Sequence, residues 1–287
     1  MKKALVIGGM NIDILGTPSG AFRSGDSLPG NIRLSVGGVG YNIASKLSES
    51  GVKVYFLTLL GDDLFASLAK NACHFSGIDI SHALMTHSAS PSYMAIHSLD
   101  GSMTSAINDM SALNLVNPDY LESKNEILKA DFDLCVIDAN LPEEAIKAIP
   151  RLVLSPILAD PVSCEKGLRL LPVLSSLTAI KPNAMEALAL SGLPDIPDAA
   201  KWFLDHGTEQ VYISLGRDGV YYAGNGECGY LSVDKPMDVP TTGAGDAMAA
   251  GLARAIMKKA SPREAAHAGL LAATQFLESK KRSENDE

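Results

Sequence analysis

The sequence predicts an α/β protein whose mainly parallel central sheet carries helices on both faces, and three observations support this. Short apolar runs alternate with segments of helical period along most of the 287 residues. The apolar runs are continuous rather than alternating with polar residues, as strands covered on both faces require. Many of them end in polar or glycine residues, where open α/β sheets bind their ligands. A composition of 46% hydrophobic and 20% charged residues suits a single domain with a large core.

The first strand is KALVIG (3–8), followed by Asn11 and Asp13. Its apolar run is short and soon broken by those polar residues, unlike a secretory signal. Further strands are expected at KVYFLTLL (53–60), DLCVIDA (133–139), PILADP (156–161), LTAIKPN (177–183) and QVYISLG (210–216). Helices are expected at YNIASKLSESG (41–51), DDLFASLAKNACHFSG (62–77), NPDYLESKNEILKA (117–130), PEEAIKAIPRL (142–152) and NAMEALALSG (183–192). Residues 12–36 and 89–110 lack helical period. Around Asp100-Gly101 the alternating flanks SYMAIHSL and SMTSAIN read as a hairpin. Together the two regions predict a small antiparallel sheet standing off the main body as a lid.

Charge narrows the function. The net charge is −9, and the basic run Lys280-Lys281-Arg282 is confined to the terminal segment, so a nucleic-acid polymer is not the expected partner. No segment approaches the ~20 apolar residues that span a bilayer. The four cysteines are scattered without paired spacing, which points to free thiols in a reducing compartment. These features predict a cytoplasmic enzyme or binding protein.

Five motifs could carry chemistry. In DVPTTGAGDAMAAG (238–251) the turn Gly243-Ala244-Gly245 runs into a helical stretch. Free amides and the positive helix end together make an anion site. A carboxylate repels a phosphate, so Asp246 suits a hydroxyl proton instead; alternatively it only caps the helix. VGGVGYNIASKL (36–47) is a second glycine turn entering a helix, with Gly38 and Asn42 able to meet a ligand. It lacks the third glycine of a dinucleotide fingerprint and the Gly-Lys-Ser/Thr of a P-loop. Asn11 and Asp13, two apart, aim to one side and suit vicinal sugar hydroxyls; taken alone, a turn-forming Asn with a surface Asp is the better reading. Asn183 and Glu186 in KPNAMEAL can hold a hydrated magnesium ion near a triphosphate, or form a capping box. Ser214 and Gly216 in SLGRDGVYY lie at a strand tip, either near a nucleotide or in a plain hairpin.

In this order, from residue 4 to about residue 276, the motifs resemble the ribokinase-like carbohydrate kinase family. GGVGYNIA and TTGAGDAMAAG match that family's two signatures. The resemblance implies a ribokinase-like three-layer fold and transfer of phosphate from ATP, with Mg2+, to a sugar or nucleoside hydroxyl. It makes Gly243, Ala244 and Gly245 the anion hole and Asp246 the base. Asn11, Asp13, Gly38 and Asn42 would bind the sugar. Asn183, Ser214, Gly216, Gly243 and Gly245 would serve the nucleotide, and Glu186 the metal. It also implies a homodimer formed through the lid.

Within the family, AINDM (106–110), DAN (138–140) and ADPVS (159–163) are similar to the pseudouridine kinases. That narrower resemblance implies the 5′-hydroxyl of pseudouridine as acceptor, with Asn108 and Asp109 reading the uracil edge and Asn140 near the sugar. Kinases of ribose or adenosine, and a non-catalytic nucleoside-binding protein, are the alternatives. Two departures stand out. Pro240 occupies a position where the family has an Asp that helps bind a monovalent cation, so weak or absent potassium dependence is expected. The chain also stops soon after GLLAATQFLESKK, where relatives continue into a segment lining the adenine and cation sites, so altered ATP affinity is expected.

Overall fold

Strand β1 (Lys3–Ile7) shows why the apolar runs are continuous. Leu5 and Ile7 join one hydrophobic core, while Ala4 and Val6 join a second core on the opposite face. The computed structural model describes residues 1–285 except Phe22, Ser24, Gly101 and 234–240.

After β1 the chain forms a hairpin of β2 (Asn11–Pro18) and β3 (Gly30–Gly37), then helix α1 (Val39–Glu49). Strands β4 (Lys53–Leu57) and β5 (Leu59–Leu60) follow. The single strand expected over 53–60 is therefore broken at the buried Thr58. Its second part leaves the main sheet to pair with β6 (Leu84–Met85), beyond helix α2 (Leu64–Phe75). A second hairpin, β7 (Ser92–His97) and β8 (Met103–Asp109), flanks Asp100 as expected. The helix expected over 117–130 is two, α3 (Pro118–Ser123) and α4 (Asn125–Leu128), parted at Lys124.

The chain continues through β9 (Leu134–Asp138), α5 (Glu143–Leu152), β10 (Ile157–Asp160) and α6 (Cys164–Gly167). Next come β11 (Ala179–Ile180), α7 (Ala184–Ser191), α8 (Ile196–Asp205) and β12 (Gln210–Ser214). Strands β13 (Val220–Gly224) and β14 (Glu227–Leu231) precede α9 (Ala244–Ile256) and α10 (Pro262–Asn285).

Among the described residues the central sheet has eight strands, ordered β14-β13-β12-β11-β10-β9-β1-β4. All pairs from β4 to β12 are parallel, and β13 and β14 extend the edge antiparallel. Helices α3, α4, α5, α7 and α8 supply one core; α1, α2, α9 and α10 supply the other. The three-layer α/β expectation holds.

The lid is a separate four-stranded sheet, ordered β3-β2-β7-β8. It is mixed rather than antiparallel, because β2 and β7 pair in parallel. Each hairpin is antiparallel within itself. The first strands of the two hairpins are joined by the long excursion through α1 to β6, which gives the room a parallel pair needs. No helix of the described residues is long and apolar enough to cross a membrane, and all four cysteines are free.

Candidate active site

The parallel register brings polar strand ends together. Asp138 at the end of β9 lies beside Asp160 at the end of β10. The pairing of β10 with β11, Leu158 to Ala179 and Ala159 to Ile180, carries Lys181 next to Asp160. Lys181 Nζ meets Asp160 Oδ2 at 3.2 Å, with the two side chains only 6% and 7% exposed. Sequence position marks both as strand-end residues, but only the sheet register makes them a pair.

Asp246 lies in the first turn of α9, whose N-cap is Gly243. Gly243 has φ 88°, and a β-carbon there would come within 2.8 Å of Phe276 Cζ, so both backbone and packing demand glycine. The Ala244 amide is not free: it donates to Thr241 O at 3.0 Å. Among the described residues the Gly243, Gly245 and Asp246 amides have no such acceptor, so they and the helix end are the donors left for an anion.

Asn42, on α1, donates from Nδ2 to Asp246 Oδ2 at 2.7 Å. Burial pushes the Asp246 carboxyl up to about 6, aided by the charge of Asp160 and opposed by the Asn42 hydrogen bond and Lys181. That places a proton acceptor near working pH, as general-base chemistry favours. The helix start itself, with Gly243 as N-cap, carries no side-chain cap bond.

Gly38 caps α1 with φ 98° and lies against the Gly9 carbonyl and Met10 Cα. Its glycine is therefore explained by close approach to the β1–β2 turn. At that turn Asn11 Nδ2 donates to Asp13 Oδ1 at 2.6 Å, which confirms that the two aim to one side. Burial raises the Asp13 carboxyl, against the lowering effect of Asn11. The turn is held from beneath by Asp138, which accepts from the Gly9 amide at 2.9 Å and the Asn140 amide at 2.8 Å. Burial, together with the charge of Asp160, pushes Asp138 up to about 7 despite those bonds. Asn140 is buried, and its Oδ1 accepts from Lys166 Nζ at 2.7 Å.

Asn183 and Glu186 form the capping box, each side chain accepting from the other's backbone amide at 2.9 Å. Both also line a cavity of about 550 Å³ that holds Asp160, Lys181, Gly243, Gly245 and Asp246. Capping and facing a ligand are thus compatible. Ser214 and Gly216 line the same cavity, brought there by the Ser214 amide donating to Pro182 O at 3.0 Å. Leu270, Ala273, Thr274 and Leu277 of α10 also line it. Among the described residues no cluster of three or more His, Cys, Asp or Glu side chains forms a metal cage.

The lid separates Asn108 from Asp109. Cross-strand register aligns Ser35, Asp13, Tyr93 and Asn108 in one row, on a single face. Asp109 is on the other face, and its carboxylate accepts from the Ser111 amide and hydroxyl at 3.2 and 2.6 Å. Adjacent strand residues point oppositely, so the two do not form one recognition pair. Pro240, the basis for expecting weak potassium dependence, lies outside the described residues.

The model of the pfkB family carbohydrate kinases matches residues 1–286. A pseudouridine kinase of Escherichia coli K12 is 35% identical over 257 residues, covering 87% of this chain and 82% of that protein. A ribokinase of Haemophilus influenzae is 29% identical over 289 residues, covering 95% and 92%. A carbohydrate kinase structure from Agrobacterium tumefaciens superposes with a TM-score of 0.85 at 32% identity, covering 95% of this chain and 90% of that one.

Proposed function

This chain belongs to the pfkB family of carbohydrate kinases, and on that premise we propose that it phosphorylates the 5′-hydroxyl of pseudouridine with ATP. It is a phosphotransferase with an alcohol acceptor. Asp246 takes the hydroxyl proton as the sugar oxygen bonds to the γ-phosphorus and the bond to the bridging oxygen breaks, releasing ADP. The Gly243, Gly245 and Asp246 amides receive the developing charge. Asn11, Asp13, Gly38, Asn42 and Asn140 surround the sugar. Asn183, Ser214 and Gly216 serve the nucleotide. A hard ion that keeps most of its waters needs few protein oxygens, so Glu186 suffices as the protein's own contribution to Mg2+.

The observation that carries the substrate is the row from Asp13 through Tyr93 to Asn108. Two strand spacings make it roughly 10 Å long, a nucleoside's reach rather than a bare sugar's. Asp13 meets the sugar, Tyr93 stands between them in the row, and the Asn108 amide offers both donor and acceptor to a uracil edge. The 35% identical pseudouridine kinase supports the same reading.

The lid's opposite face supports a homodimer. Leu34, Ile14, Met94 and Ile107 form one apolar row across all four strands. Leu34, Met94 and Ile107 are 52%, 47% and 69% exposed, and a second copy covers such a patch. We also propose a cytoplasmic location, which the free thiols and the need for ATP support, and weak or no potassium dependence.

Steady-state kinetics with pseudouridine, uridine, ribose and adenosine test the assignment. The highest kcat/KM is expected with pseudouridine. Uridine, which differs only in its glycosidic linkage, should fall behind by about tenfold or more. Preference for ribose or adenosine overturns the substrate. Binding without turnover of any of them overturns catalysis.

A further inference from the structure

We propose that Lys181 is a catalytic residue whose buried ammonium, pinned by Asp160 against the glycine turn, contacts the phosphates of the nucleotide. The inference rests on the phosphotransferase reading of the site. It adds a resident cation that the glycine turn and Asp246 do not supply.

Three observations converge on it. First, Lys181 Nζ lies 3.3 Å from where a β-carbon on Gly245 would stand, and both residues line the cavity with Asp246 and Glu186. Absence of a side chain at Gly245 leaves nothing between the ammonium and the turn. Second, an ammonium has three donors, and among the described residues Asp160 is its one acceptor. A buried cation with donors to spare is costly unless a ligand accepts them. Burial alone would depress Lys181, but Asp160, Asp246 and Glu186 together hold it above its ordinary value, so it carries its charge.

Third, the anchor is built at a cost. Asp160 Oδ1 accepts the Val162 amide at 2.8 Å, and Val162 has φ 65°. A β-branched residue in the left-handed region is strained, and such strain gathers at functional sites. With one oxygen on Val162 and the other on Lys181, Asp160 fixes the ammonium rather than merely neutralising it. An arrangement needed only for stability would be met as well by apolar side chains at both positions.

The test separates the pair's structural role from its charge. Lys181→Met leaves Asp160 buried and unpaired and should lower the melting temperature. The double variant Lys181→Met/Asp160→Asn should recover that temperature. Calorimetry then compares ATP with AMP, which lacks the β- and γ-phosphates. The ATP-over-AMP preference should fall about tenfold or more in both variants, and kcat by about 100-fold. Return of the wild-type preference in the double variant overturns the proposal. Should that variant not fold, Lys181→Arg must keep the preference while Lys181→Gln loses it; equal behaviour of the two overturns it as well. Because nucleotide calorimetry needs no acceptor, it still decides Lys181 where the pseudouridine assignment fails.

Discussion

Asn42 Nδ2 and Asp246 Oδ2 are joined by a 2.7 Å hydrogen bond across 204 positions of the chain. The bond ties the N-terminal part of α1 to that of α9, and so the turn proposed to face the sugar to the proposed proton acceptor. Because the donor is an amide, it steadies the ionised carboxylate without removing its capacity to accept a proton.

The first prediction follows from that bond. A base held at about 6 must be ionised to work, so kcat/KM should fall about tenfold per pH unit below pH 6 and level off above it. Asn42→Ala removes an interaction that lowers the Asp246 value, so the acid limb should move to higher pH. Asp246→Asn should bind nucleotide yet lose about 100-fold or more of kcat. pH–rate profiles of the three proteins check this, and an unmoved limb in Asn42→Ala would contradict it.

Gly243→Ala should disable the anion site. The added methyl meets the Phe276 ring, and φ 88° costs an L-residue about 1–2 kcal/mol besides. A loss of about 100-fold in kcat is expected with far-ultraviolet circular dichroism unchanged. Adding Phe276→Leu relieves the clash but not the backbone strain, so recovery should be partial. Full recovery would show that packing alone matters.

Assembly is tested on the lid. Met94→Lys or Ile107→Lys places a charge in the exposed apolar row. Light scattering should report a dimer for the wild type and a monomer for either variant. A monomeric wild type removes the proposal.

Stability should carry the signature of Asp138. Its carboxyl sits at about 7 in the fold, against an ordinary 3.8. The folded state therefore holds a proton that the unfolded chain has released, and stability is lost as pH rises toward and through 7. The slope from this group is at most about 1.4 kcal/mol per pH unit. Asp138→Asn cannot ionise, so its melting temperature should improve relative to wild type between pH 5 and 8. A constant difference would contradict this.

Much of the molecule was determined by sequence alone. Continuous apolar runs fixed a sheet covered on both faces, because a strand with no polar side needs two cores. The glycine turn before Ala247 pointed to a candidate anion site, and the spacing of Asn11 and Asp13 placed both on one side. Local patterns carry that information because each depends on residues a few positions apart.

The tertiary structure decided what depends on register. It set Asp138, Asp160 and Lys181 side by side on neighbouring strands, which no local pattern specifies. It made Asn183 and Glu186 both a cap and a cavity wall. It parted Asn108 from Asp109, since a strand alternates its side chains and the pairing with Tyr93 chooses which one shares a face with Asp13. Chemistry at strand ends arises where distant segments are brought level, and only the folded sheet sets that level.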